Sequence, residues 1–130
     1  MKVFTYQINV ERKDIRGITK MNNLSYKEIL TKYRREIEDK LKIIGEVVEG
    51  EAKLNISGHN DKWMRAVDTG RLMNSIIHKV IKKDLKVRIG TNVEYAPHVE
   101  FGTKIMPPRP FLRQAFIESK PEIRKILRNK

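Results

Sequence analysis

The sequence has no cysteine, which removes disulfides, thiolate metal sites and cysteine nucleophiles together. It has no apolar run near the roughly 20 residues that a bilayer-spanning helix needs, so no membrane partner is expected. Its first residues, Met1-Lys2-Val3-Phe4-Thr5-Tyr6-Gln7, lack the continuous apolar core and small-residue cleavage site of a secretion signal. Aromatics make up only 7% and are not interleaved with the basic residues between Lys79 and Arg88, so no stacking platform for nucleic acid is visible. No glycine-rich phosphate loop, Ser-His-Asp order or spaced carboxylate pair stands out. Repeats and low-complexity tracts are missing as well.

The chain that remains is 130 residues long and 39% hydrophobic, enough for one modest core. One domain over residues 1–130 is expected. Acidic residues are in deficit, with 16 Asp and Glu against 28 Lys and Arg, for a formal net charge of +12. That excess favours anionic partners: nucleic acid, an acidic protein surface or a membrane face. Charge alone does not choose among them.

Residues 3–10 alternate in part and read as a strand with one apolar face. Glu11 to Asn23 is polar and reads as a loop. Ser25 and Glu28 form a capping box, and Tyr26, Leu30, Tyr33, Ile37, Leu41, Ile44, Val48 and Ala52 then recur at three- and four-residue steps. The spacing predicts a helix from Tyr26 to Leu54, on the order of 40 Å long, with Gly45 and Gly50 as points for a bend or early end. Such a helix in so small a chain either finishes its burial against a second subunit or serves as plain intramolecular core. Asn55 to Ala66 reads as a loop. Ser75 to Ile81 and Leu85 to Gly90 read as strands of an antiparallel hairpin around Lys82-Lys83-Asp84, one face apolar and the other basic. Tyr95 to Gly102 reads as a short helical turn. Pro107, Pro108 and Pro110 make the next stretch extended and stiff, and a helix begins near Phe111. Pro121 and the Ser119/Glu122 capping box divide that helix into two pieces near Lys120.

The fold class expected is therefore α+β: a long helix packed on a small, mainly antiparallel sheet, with a C-terminal helix. The three histidines, His59, His78 and His98, suggest no metal site. His98-x-Glu100 supplies two ligand types, but residues two apart on a helical turn diverge, and a third ligand is not recognisable. No cofactor and no catalytic residue is expected. Lys79, Lys82, Lys83, Lys86 and Arg88 crowd the hairpin as a basic surface able to lie against phosphates. Without a helix-turn-helix or ribonucleoprotein signature, sequence-specific reading is not expected.

Three stretches carry a family resemblance: Val67-Asp68-Thr69-Gly70-Arg71-Leu72-Met73-Asn74-Ser75-Ile76, then Gly90-Thr91-Asn92-Val93-Glu94-Tyr95-Ala96-Pro97-His98-Val99-Glu100-Phe101-Gly102-Thr103, then Pro108-Arg109-Pro110-Phe111-Leu112. In this order and spacing the chain resembles the small tail components of long-tailed bacteriophages and prophages, the neck, head–tail-joining and tail-completion proteins related to minor tail protein Z of phage lambda. His98 departs from the aromatic that family more often shows. The resemblance implies a structural assembly protein rather than an enzyme. It also implies ring-like oligomers, neck and tail proteins as partners, assembly in the host cytoplasm and a place in the virion. Asp68, Arg71, Tyr95, Glu100, Phe101, Arg109 and Phe111 are the candidate interface residues. Asp68 is suited to cap a turn, Glu100 to pair with Arg71 or Arg109, and Arg109 and Phe111 to dock from a proline-stiffened arm. The rival readings are a nucleic-acid-binding protein, with nonspecific DNA contact, and a small nuclease or toxin.

Overall fold

The computed structural model describes residues 4–9, 26–57 and 69–128. In chain order these form β1 (Phe4–Asn9), α1 (Tyr26–Ser57), α2 (Thr69–Ser75), β2 (Ile77–Ile81), a 3-10 turn (Lys82–Asp84), β3 (Lys86–Thr91), α3 (Ala96–Phe101) and α4 (Phe111–Arg128). The fold is α+β: a long helix and a C-terminal helix on a small antiparallel sheet. Asp68, the Ser25 half of the first capping box, and the segments 10–25 and 58–68 lie outside the described residues.

α1 runs 32 residues, about 48 Å. Its buried residues Ile37, Leu41, Ile44, Val48, Ala52 and Ile56 follow the predicted spacing; each fully buried Ile or Leu contributes about 1.5–3 kcal/mol. Two expectations need correction here. The helix does not end at its glycines, and Asn55 to Ser57 are helical rather than loop. Ile56 is buried, and the Asn55 amide donates to the Phe111 carbonyl at 3.0 Å, so packing against α4 carries the helix onward. Gly45 has a spatial reason. A Cβ there would fall 2.6 Å from the His78 ring, so glycine is what lets β2 lie against the helix.

The sheet order is β1-β3-β2, antiparallel throughout. Alternation puts Tyr6 and Ile8, Val87 and Ile89, and His78 and Val80 on the face toward the helices. α1 crosses β2 and β3, and α4 reaches β1 through Phe116, whose ring centroid is 5.3 Å from that of Tyr6. The hairpin forms as expected, with its ends shifted. Ser75 closes α2 instead of opening β2, its hydroxyl donating to Leu72 O at 2.6 Å. Leu85 sits in the turn with φ 49°, a left-handed geometry that disfavours a side chain, and its burial offsets that cost. Arg34 of α1 clasps the same turn by donating to Lys82 O and Lys83 O.

α4 is one helix through Pro121, which overturns the two-piece expectation. Proline there removes one backbone bond, but Ala115, Ser119, Ile123, Ile126 and Leu127 keep a continuous buried stripe on α1. The Ser119 hydroxyl does not cap; it is buried without a hydrogen-bond partner among the described residues. The far end of α4 is secured by Lys40, whose ammonium donates to Leu127 O at 3.3 Å and pairs with Glu36.

Candidate functional site

The three stretches that carry the resemblance are tied to one another in the fold, the first two at one end of the sheet. Ser75, ending α2, shares a 2.6 Å hydroxyl–hydroxyl bond with Thr91, ending β3. Thr91 Oγ1 also accepts from Val93 N at 3.0 Å, turning the chain out of the strand. Arg71 on α2 forks onto Glu94, each guanidinium nitrogen 3.0 Å from a different carboxylate oxygen. The same guanidinium lies 5.6 Å above the Tyr95 ring. The first and second stretches are thus joined by a planar charge pair on an aromatic.

The second and third stretches join through the body of the domain. Arg109 N donates to Val99 O at 2.7 Å. Gly102, at φ 77°, lets the chain double back; a Cβ there would sit 2.7 Å from Pro108 N. Glu100, 0% exposed, accepts from Leu112 N at 2.9 Å and from Arg113 N at 2.8 Å. These are orphan donors of the first turn of α4. Pro110, the residue before the helix, has no side-chain acceptor, so the cap comes from α3.

Several site expectations change accordingly. The carboxylate that receives the Arg71 fork is Glu94, a residue not singled out from the sequence. Glu100 is an internal cap rather than a surface partner, because both its oxygens are aimed at the α4 terminus. Phe111 is 1% exposed and belongs to the core, not to a projecting arm. Arg71 and Phe101 are exposed, and Tyr95 and Arg109 are half-buried, all within reach of a partner. The basic set divides by environment. Lys79 and Arg88 are exposed on the outer sheet face, Lys82 and Lys83 project from the turn, and Lys86 lies 3.7 Å from Asp84.

Two titrations are displaced. The Arg71 hydrogen bond holds the Glu94 carboxyl below its ordinary range, keeping the pair ionised at neutral pH. Being exposed, that pair sets geometry more than stability. The Tyr6 phenol is raised above its ordinary 10.0, by burial first and then by the negative charge of Glu100, with Arg113 opposing. A raised folded-state value means that the stabilisation is complete below 10.0 and is lost as pH climbs through the folded value. Spectrophotometric titration should therefore show one tyrosine ionising late, and Tyr6→Phe should remove it and soften the alkaline loss of stability. An unchanged alkaline curve in the variant would contradict this.

Among the described residues no three His, Asp or Glu side chains gather as metal ligands, and no helix is long and apolar enough to cross a membrane. No curated protein and no solved structure matches the chain significantly. A family model does match, over residues 19–102, and its description is "Bacteriophage HK97-gp10, putative tail-component". The match takes in well over half the chain, including the first of the three stretches and all but the last residue of the second. By that match the chain belongs to the HK97 gp10-like family of bacteriophage tail components.

Proposed function

We propose that this tail component joins head to tail or completes the tail end, acting by stoichiometric assembly without turnover. In this reading residues 1–130 work as one domain. The protein is built into the particle in the host cytoplasm, forms a ring, and binds neighbouring neck and tail proteins. The observation that carries the reading is the exposed Arg71–Glu94 fork stacked on Tyr95, held in place before any partner arrives. A pre-ordered arginine and aromatic lower the entropic cost of docking and are the residue types most enriched at interface centres. Phe101 and Arg109 supply further apolar and charged groups within the same converging stretches.

Oligomerisation has its own support on α1. Ile43, Val47, Gly50 and Leu54 recur at the spacing of one helical stripe and lie away from the core. A Cβ at Gly50 would meet nothing within 4 Å, so nothing in the described fold requires glycine there. A bare backbone in the middle of an apolar stripe suits close approach by another helix. Nonspecific DNA contact is a second reading, supported by the net charge of +12, and a steep salt dependence of duplex binding would favour it.

Arg71→Glu and Arg109→Glu test the main reading by complementation of a phage lacking the gene. An exposed pair such as Arg71–Glu94 is worth roughly 0–1 kcal/mol, so the Arg71 variant should fold. Infectious titre should drop at least about tenfold, the consequence of losing some 1.4 kcal/mol at each contact, with unjoined heads and tails visible by electron microscopy. Wild-type titre from both variants would refute the interface.

A further inference from the structure

The outer face of the sheet holds a charge arrangement that the fold itself does not reward. Lys79 and Arg88 are direct cross-strand partners, and like charges in that position repel. Arg88 Nε donates to Gln7 Oε1 at 3.3 Å, which orients the guanidinium without neutralising it. The registers put Thr5, Gln7 and Asn9, Ile77 and Ile81, and Lys86 and Gly90 on the same face, and none of these is acidic. Beside the two cations an open groove of about 590 Å³ runs over Gly90, where the missing side chain leaves a floor of backbone. Ile77, 63% exposed, forms one side, and Asn74 and Asn92 form the end.

We propose that this groove seats an acidic, partly aliphatic segment of a neighbouring tail protein. Lys79 and Arg88 meet its carboxylates, Ile77 covers an aliphatic side chain, and the amides of Asn74 and Asn92 bond its backbone. The chemistry favours this occupant over others. A DNA backbone would neutralise the cations but leave Ile77 in water, and the outer-face residues include no aromatic on which a base could stack. A second copy presenting the same face would set cation against cation. The inference rests on the tail-component reading and gives one surface of it a partner chemistry.

The test uses the full chain and a fluorescent peptide alternating glutamate and valine, with binding followed by anisotropy. Polyglutamate of equal charge and a short duplex DNA serve as comparators. The peptide should bind more tightly than either. K79E/R88E should weaken it at least about tenfold, as expected for losing desolvated charge contacts. I77S, which changes no charge, should weaken it several-fold. K125E/R128E makes the same change in net charge on exposed positions of α4 and should leave binding nearly intact. All substituted residues are exposed, and thermal melts check that each variant folds. The proposal is overturned by a flat anisotropy trace, by equal losses in the groove and α4 variants, or by DNA or polyglutamate matching the peptide. Light scattering that shows the groove variants losing self-association would also overturn it, by assigning the face to a second copy. Should the peptide fail to bind while deletion of the gene still abolishes tail completion, the groove assignment falls and the tail-component reading stands.

Discussion

Glu100→Ala should lower the unfolding free energy by about 2–3 kcal/mol, because it strips a buried N–H group, that of Leu112, and a part-buried one, that of Arg113, of a charged acceptor at once. An orphaned buried donor costs about 1–3 kcal/mol, and the anion also sits at the positive end of the α4 dipole. Glutamine in its place keeps one carbonyl oxygen but turns an NH2 toward the second donor, so Glu100→Gln should recover only part of the loss. Urea unfolding at neutral pH reads both variants. A change under about 1 kcal/mol for the alanine variant, the ordinary size of a surface effect, would mean that water takes over the cap. Because the cap fixes where α4 begins, the damage should also reach the Arg109 backbone bond to Val99.

The glycines of α1 should respond to alanine with opposite signs. At Gly50 a methyl group meets nothing within 4 Å, so the gain is the helix-propensity difference of about 1 kcal/mol. At Gly45 the same methyl would lie 2.6 Å from the His78 Cδ2, 2.8 Å from Cγ and 3.0 Å from Cβ. A contact that includes Cβ is not relieved by rotating the ring alone, so β2 has to move. Overpacking of that kind costs about 1–3 kcal/mol and exceeds the propensity gain. The two variants should differ in Tm by about 10 °C. Adding His78→Ala should restore most of the Gly45→Ala loss, since the coupling is a direct contact. Equal melting temperatures would show that the sheet does not press on the helix at Gly45.

Local pattern made much of this fold readable. The stripe from Tyr33 to Ala52 lies on the core-facing side of α1, and strict alternation around Lys86 and Arg88 gives β3 its apolar face, which is the one toward the helices; its place between β1 and β2 is not in that pattern. What local pattern cannot convey is which distant element satisfies a backbone group. Ser119 and Glu122 match a helix start, yet the apolar residues on both sides of Pro121 belong to or pack against one core cluster with those of α1. Tertiary burial outweighed the proline. Glu100 looked like a surface acid because its two donors lie 12 and 13 residues further on. One cue was present: Pro110 cannot cap the helix it precedes, so an acceptor had to come from elsewhere. Phe111, an aromatic between prolines and a helix, resembled an anchor because a sequence gives residue type without direction. An arginine beside a flexible glycine is legible as a group that reaches a carboxylate, whereas Glu94, the carboxylate it reaches, carries no signal of its own.

The sheet order has a kinetic corollary. β2 meets β3 across a tight turn, whereas Gln7 of β1 pairs with Arg88 from 81 positions away in sequence. Ring-closure entropy rises only as the logarithm of the intervening length, so the third strand costs little once the protein is folded. Folding rate is more sensitive to such separation, which makes β1 the latecomer. Until it arrives, one margin of the central strand has unpaired amides, and the polypeptide is most prone to aggregation during that interval.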